Sequence, residues 1–454
     1  MKTTKYFQWL IAVAVAVTSL SVTSCKDQPD EYKVSDGTPS ISFIRPVDVA
    51  AKDSIITAAS LRSTICIVGS NLRSVTKLLF NDCPAVLNTS YITDNTLIVT
   101  IPNEIPGKVT NKMYLINRAG ESVEYNFTVT IPAPVVSSMT NEWAAAGEEV
   151  TIIGDYFLDY ADNPIVVKIG DMEISRDIIS SITKNRITFT MPAGAPKEKI
   201  TVTSVYGSTQ SNFQYCDTRG MLFDFDTPCY TGTVLGNNGW HDRTITTDET
   251  ALSGNFLVMG DTDMGDDGGW NDGNFAFEYW CGDWEEPQAY SQHPRIFDVA
   301  DFTDFENKSL KFEMYIPKNN SWSAAPMQIF FGTVEQITLS AGTDIYGHTC
   351  AGANNTFFRE QGKVSRGVYM PWKETEDKLY NTDDKWVTVT LPLSDFIYDF
   401  DGNKITSTLQ SEADFGSFTI FIVKGGYDDK SVWPTGVACH PIIKIDNIRV
   451  IPNK

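Results

Sequence analysis

Val150-Thr151-Ile152-Ile153-Gly154 decides the fold, because the same reading recurs upstream as Ile65-Cys66-Ile67-Val68-Gly69. Each run is short, β-branched and closed by a glycine, which is the pattern of a strand ending at a turn or bulge. Working outward, Ile98-Val99-Thr100-Ile101-Pro102 is matched by Ile187-Thr188-Phe189-Thr190-Met191-Pro192, and Asn126-Phe127 by Asn212-Phe213. The landmarks keep one order at separations of about 85 to 90 residues, so residues 38–132 and 133–215 read as two copies of one module. Pro102 and Pro192 stand at strand ends, where the missing N–H is tolerated. Short strands with Gly, Asn, Asp and Pro between them make each copy an immunoglobulin-like β-sandwich. Ala133-Pro134 stiffens the joint, and the expected role of the pair is spacing.

After Cys216 the composition changes. Eight of the ten tryptophans and all four histidines lie beyond it. Residues 216–454 show further strand-like runs and no long helical period, so they read as a third, larger β-sandwich. The closing run Ile443-Lys444-Ile445-Asp446-Asn447-Ile448-Arg449-Val450 alternates as a half-buried strand does. The fold class expected for the chain is therefore all-β, with two tandem immunoglobulin-like sandwiches followed by a larger C-terminal one.

The first residues set the compartment. Lys2 and Lys5 precede an apolar run from Trp9 to Val17, and Val22-Thr23-Ser24-Cys25 follows. A basic start, a short apolar core and a small-residue cleavage site make a secretory signal over residues 1–24. A cysteine directly after the site resembles the bacterial lipoprotein signal, which implies lipidation of Cys25. Acyl chains there would anchor the protein, each buried methylene contributing about 0.8 kcal/mol. Residues 25–37 are a flexible tether, beginning Lys26-Asp27-Gln28-Pro29-Asp30-Glu31.

The net charge of −21 argues against nucleic acid and against highly anionic partners, leaving a neutral ligand. Of eight cysteines, Cys66 and Cys83 are a possible pair within one module. There is no CxxC spacing for zinc or redox work. Asp261, Asp263, Asp266 and Asp267 could offer oxygens to calcium. They lack the full loop pattern with its terminal Glu and read first as an acidic turn, so no cofactor is expected.

Binding chemistry concentrates in Gly239–Trp284. There Trp240-His241, Trp270-Asn271, Tyr279-Trp280 and Trp284 stand among glycines and aspartates, a setting for loops. An exposed tryptophan offers a flat negative π face to the C–H groups of a pyranose. Asn or His beside it can bond the hydroxyls. Strand alternation puts Phe275 and Phe277 inward and Trp280 outward with Glu278, Tyr279 joining Trp280 if the strand ends there. Trp386 and Trp322 read as core.

Two other readings use the same residues. A β-sandwich glycoside hydrolase needs two carboxylates about 5–9.5 Å apart. Glu278, Asp283, Glu285 and Glu286 lie near the aromatics, but no Glu-x-Asp-x-x-Glu strand motif is present. A protein-binding surface adhesin would also expose aromatics.

The modules' strand–Gly openings and Thr-x-Pro strand ends resemble IPT/TIG domains. The C-terminal part resembles the glycan-binding domain of Bacteroidetes surface glycan-binding proteins of the SGBP-B type. The resemblance rests on Leu222-Phe223-Asp224-Phe225-Asp226, Gly239-Trp240, Gly269-Trp270-Asn271-Asp272, Phe277-Glu278-Tyr279-Trp280 and Ile445-Asp446-Asn447-Ile448-Arg449-Val450. It implies a non-catalytic, cell-surface protein of the outer membrane that faces the exterior and captures β-glucan for uptake: xyloglucan, mixed-linkage or β-1,3-glucan. It also implies work beside a TonB-dependent transporter and a SusD-like protein. Trp240, Tyr279 and Trp280 are then the platform candidates, with Trp270, Trp284, His241 and Asn271 after them.

Overall fold

In a computed structural model, residues 32–51, 53–227, 243–281, 293–332, 364–424 and 432–453 are described, with the backbone alone at 342–343 and 349–350. Cys25 and the signal lie outside these residues. The chain divides into two compact units, Met1–Pro132 and Ala133–Lys454.

The first unit holds β1 (Ser40–Pro46), β2 (Ala58–Ser60), β3 (Thr64–Ser70), β4 (Val75–Phe80), β5 (Cys83–Pro84), β6 (Thr96–Thr100), β7 (Lys112–Asn117), β8 (Ser122–Asn126) and β9 (Thr128–Thr130). Its main sheets run β1-β3-β6 and β5-β4-β7-β8. Ile44, Ile67, Leu78, Leu97 and Leu115 fill the space between them. Along β7 every second residue is buried, the two-residue period of a strand with one face on a core. Cys66 and Cys83 are both buried and both free, so the pair considered from sequence does not form. The Cys83 thiol bonds toward Asp82 and the Glu104 carbonyl instead, and burial pushes it up to about 11.

The second unit opens with β10 (Val135–Met139), β11 (Glu149–Asp155), β12 (Val166–Ile169), β13 (Met172–Glu173), β14 (Ile179–Thr183), β15 (Arg186–Thr190), β16 (Lys199–Ser204) and β17 (Gly207–Gln214). Their sheets run β10-β11-β15-β14 and β13-β12-β16-β17. The second of these repeats the order β5-β4-β7-β8, so the sequence repeat is a repeat of topology. The landmark glycines have a common cause. β1 slips register on β3 between Ile41 and Phe43, and β10 slips on β11 between Val136 and Ser138. Gly69 and Gly154 lie at these bulges, where an added Cβ would sit 1.8 Å from the Ser40 oxygen and 1.7 Å from the Val135 oxygen. Only a residue without a side chain lets the two backbones approach that closely.

The remaining strands are β18 (Met221–Phe223), β19 (Thr244–Thr246), β20 (Phe256–Gly260), β21 (Ala276–Tyr279), β22 (Lys308–Tyr315), β23 (Met327–Gly332), β24 (Gly342–Thr343), β25 (Thr349–Cys350), β26 (Gly367–Tyr369), β27 (Val387–Pro392), β28 (Ser417–Ile422) and β29 (Ile442–Pro452). One sheet runs β19-β20-β29-β22-β27 with β18 also on β29; the other runs β21-β28-β23-β26. Phe312, Met314, Ile445 and Ile448 of the first meet Phe277, Ile329, Phe331 and Phe418 of the second in one apolar core. The chain is thus all-β throughout its described residues, apart from single turns of helix.

β29 departs from the half-buried strand expected for it. Residues 443–451 are all buried, and so is the whole of β22. The outer face of this sheet is covered by the second module, which is therefore docked on the sandwich and is not a free spacer. Ile451 joins the second module's apolar core. Lys311 lies over the Phe213 ring, 4.8 Å from its centroid. Thr388 donates its N–H to the Thr140 oxygen at 2.8 Å. At the centre Arg449 bonds Glu313 at 2.7 Å and Glu142 at 2.8 Å, and Lys311 pairs with Glu142. These four side chains are buried, and their two positive and two negative charges balance. Burial pushes the Glu313 carboxyl up to about 7 against the pull of Arg449.

A bulge makes that interface possible. Between Lys311 and Glu313 the register of β22 on β29 slips, and Asn447 takes φ +52°. The inward positions of β29 therefore change phase, from Ile443 and Ile445 to Ile448 and Val450. Arg449 and Ile451 are thereby turned to the second module.

Candidate functional site

The sheet β21-β28-β23-β26 has one face on the core. Alternation along β21 sends Phe277 and Tyr279 into it, with Cys281 beyond the strand. The Tyr279 ring packs 5.7 Å from Phe223, and its hydroxyl donates to the Pro294 oxygen at 2.7 Å. It is fully buried, so its ring face is closed to a ligand. Trp280 and Glu278 correct the expectation too: they leave on the other face, yet they are 8% and 0% exposed. The reason is that this second face is also covered. Ala276, Phe330, Phe400 and Phe421 form a second buried cluster upon it. Glu278 is the one described member of the four carboxylates considered for a hydrolase, and it is buried in that layer.

Trp270 rises at the edge of the covered face. The turn before it needs glycines: Gly268 has φ +69°, and a Cβ there would stand 2.9 Å from Ala325 Cβ. Asn271 then accepts the Phe275 N–H on its carbonyl at 3.0 Å and the Asn274 amide on Oδ1 at 2.9 Å. These bonds fix the short helix Asp272–Phe275 and hold Trp270 at its tip. Trp270 is 40% exposed, the one tryptophan among the exposed large apolar side chains described. It stands edge-on to Phe421, with centroids 4.7 Å apart, and to Phe400 at 6.3 Å.

Phe400, itself buried, links Trp270 to further rings. Its carbonyl accepts from Trp433 Nε1 at 3.2 Å, and Trp433 lies 5.7 Å from Tyr398. Gly402 lets that indole lie against the backbone, since a Cβ there would meet the ring at 2.8 Å. Beside these rings runs a cleft of about 550 Å³ lined by Val368, Met370, Trp372, Tyr398, Val432 and Trp433 among others, with Lys373 and Lys378 also in its wall. Trp270 and the half-buried Tyr398 thus form the accessible part of an aromatic band beside an open groove, with the Phe400 and Trp433 rings buried behind them at 4% and 8% exposure. Tyr398 and Trp433 were not singled out from sequence. The signal was present, because Trp433 follows Gly425-Gly426-Tyr427-Asp428-Asp429, the composition that marked Trp270.

Of the other expected site residues, Trp240, His241 and Trp284 lie outside the described residues. Trp322 and Trp386 are core, as expected, the Trp322 indole donating to the Ala325 oxygen at 3.0 Å and that of Trp386 to the Thr250 oxygen at 2.6 Å. The acidic turn faces a histidine: His440 Nδ1 is 2.8 Å from Asp263, and Nε2 is 3.4 Å from Asp261. Those carboxylates hold the imidazole's pKa above its ordinary value. Asp267 accepts the Gly269 N–H. Among the described residues no three His, Cys, Asp or Glu side chains are grouped to hold a metal ion.

Comparison with known proteins gives a consistent assignment. Residues 215–452 match the family model described as the surface glycan-binding protein B xyloglucan-binding domain, and residues 134–218 match the IPT/TIG domain. The crystal structure of the surface glycan-binding protein PbSGBP-B from Prevotella bryantii is similar at 58% identity and TM-score 0.87, over 92% of this chain and 100% of that one. An IPT/TIG domain-containing protein of Bacteroides ovatus is 28% identical over 204 residues, which are 42% of this chain and 40% of the relative's length.

Proposed function

The chain belongs to the family of surface glycan-binding B proteins with a xyloglucan-binding domain, and from that membership we propose that it captures a neutral β-glucan at the cell surface without cleaving it. Xyloglucan is the first candidate and mixed-linkage or β-1,3-glucan the next. The observation that carries the reading is the exposed Trp270, which packs on Phe400 near a groove whose wall includes the half-buried Tyr398. Aromatic faces in series suit an extended chain of rings, each contact being worth about 1–3 kcal/mol by analogy with stacked bases. An acidic protein meets such a ligand without repulsion. Lipid anchoring through Cys25 in the outer membrane, and work beside a TonB-dependent transporter and a SusD-like protein, belong to the same proposal.

Affinity electrophoresis in gels containing xyloglucan, mixed-linkage β-glucan or β-1,3-glucan tests it. Trp270→Ala lies on the surface and leaves folding intact; it weakens retardation, by about tenfold for a contact near 1.4 kcal/mol. Tyr398→Ala acts in the same direction. Full retardation of both variants would exclude the band. Steady release of reducing ends from the polysaccharide would replace capture by hydrolysis.

A further inference from the structure

A second cleft, of about 360 Å³, lies where the second module meets the sandwich. Trp143 lines it from the module; Thr218, Gly220, Asp224, Asp226 and Asn447 line it from the sandwich side. We propose that this cleft binds a pyranose through its hydroxyls, as a second carbohydrate site separate from the aromatic band. The proposal goes beyond the capture role and takes from it only the choice of probe.

The polar groups on its wall carry the inference. Asn447 is 3% exposed, and its Nδ2 has no hydrogen-bond partner. The Trp143 Nε1 is likewise buried and unpartnered. An unmet buried donor costs about 1–3 kcal/mol, so two on residues that line one cleft ask for acceptors. Two carboxylates share the wall. Asp226 holds the Asn255 N–H through Oδ1 at 2.6 Å, and no described bond engages its Oδ2. Asp224 accepts the N–H groups of Asp226 and Thr227. A sugar hydroxyl accepts and donates at once, so it can take an N–H from Asn447 or Trp143 while giving its proton to a carboxylate.

Other ligand classes fit less well. The aspartates oppose an anion. The two N–H donors oppose a cation, and the described residues hold no group of three metal-ligating side chains. The volume falls within the range of about 300–1,000 Å³ that small-ligand sites occupy. Lys197 and the Arg449 guanidinium lie over the Trp143 ring at 5.8 and 5.9 Å, so the ring contributes its N–H edge and not an open stacking face. Walls this close depend on glycine. At Gly220, φ +55°, a Cβ would sit 1.9 Å from the Val450 oxygen; at Gly254, φ +63°, it would sit 2.0 Å from Asp226 Oδ1.

Calorimetric titration of the full chain with a xyloglucan oligosaccharide is the test. Ser253 also lines the cleft and is exposed, so Ser253→Arg fills it, beside Asp224 and Asp226, without disturbing the core. The wild type shows two sites. Ser253→Arg and Trp143→Phe, which replaces the indole by a smaller ring without the N–H, each lose or weaken one of them and leave the other. Trp270→Ala shows the reverse. One site in the wild type, with an isotherm unchanged in Ser253→Arg, overturns the second site and leaves the capture reading standing. No heat from the wild type with any of the three glucans overturns both.

Discussion

Asp446 is 1% exposed on β29, with Oδ1 accepting the Asn447 N–H and Oδ2 without a partner. Burial pushes its carboxyl up to about 9, from 3.8, helped by Glu313, Asp226 and Asp224 nearby. The folded chain therefore keeps a proton that the unfolded chain releases above about pH 4. Between those two values stability falls as pH rises, because the native state binds more protons. Asp446→Asn preserves the Oδ1 acceptor and removes the titration. Urea midpoints at about pH 5 and about pH 8 check this: the variant loses less stability between them than the wild type does. At the same scale, β21 shows the reach of a sequence pattern. Alternation assigns Phe277 and Tyr279 to one face, and their side chains obey it. It carries no information on what covers the opposite face, so Trp280 and Glu278 are buried where solvent was expected.

Strands and bulges obey a different rule. The strand-closing glycine that defined the repeat is needed by a carbonyl on the neighbouring strand. Gly154→Ala forces a Cβ against the Val135 oxygen and lowers stability by about 1–3 kcal/mol, as overpacking does. Gly69→Ala has the same effect in the first unit, against the Ser40 oxygen. Chemical denaturation of the two variants, followed against wild type, measures both; a loss below about 0.5 kcal/mol in each would show that the bulges relax. β29 carries a bulge of its own, and its trace is in the sequence. The apolar positions 443 and 445 are odd, while 448 and 450 are even, which marks a slip at Asp446-Asn447. What the slip turns outward depends on the partner strand, because Arg449 finds Glu313 across β22.

At the scale of the molecule, the second module and the sandwich are joined by buried charge. Arg449 bonds Glu142 from the module and Glu313 from the sandwich. Arg449→Leu leaves both carboxylates buried with only Lys311 to balance them, at a cost of about 3–5 kcal/mol. Calorimetry shows this as a lower transition temperature for the unit beginning at Ala133, while Met1–Pro132 keeps its own. Unchanged melting of the Ala133 unit would mean that water already enters the cluster. Replacing Glu142, Lys311, Glu313 and Arg449 together with apolar residues costs far less, since no charge is stranded.

The amino-acid sequence by itself determined the all-β class, the two related modules and the larger aromatic-rich sandwich, and it set Trp270 among the turn-forming residues without deciding that its ring stays open. Each rests on local physics: the two-residue period, proline and glycine at breaks, and a tryptophan among turn-forming residues. The tertiary structure alone decided which tryptophans stay open and what becomes of a strand's second face. Trp322, Trp372 and Trp280 are as aromatic as Trp270, yet they are buried by segments distant in sequence. Arg449 read as part of a half-buried strand's open face, and it was the docked second module that buried it with Lys311 and Glu313. Burial depends on what arrives from elsewhere in the chain, and a periodic pattern records only the geometry of its own strand.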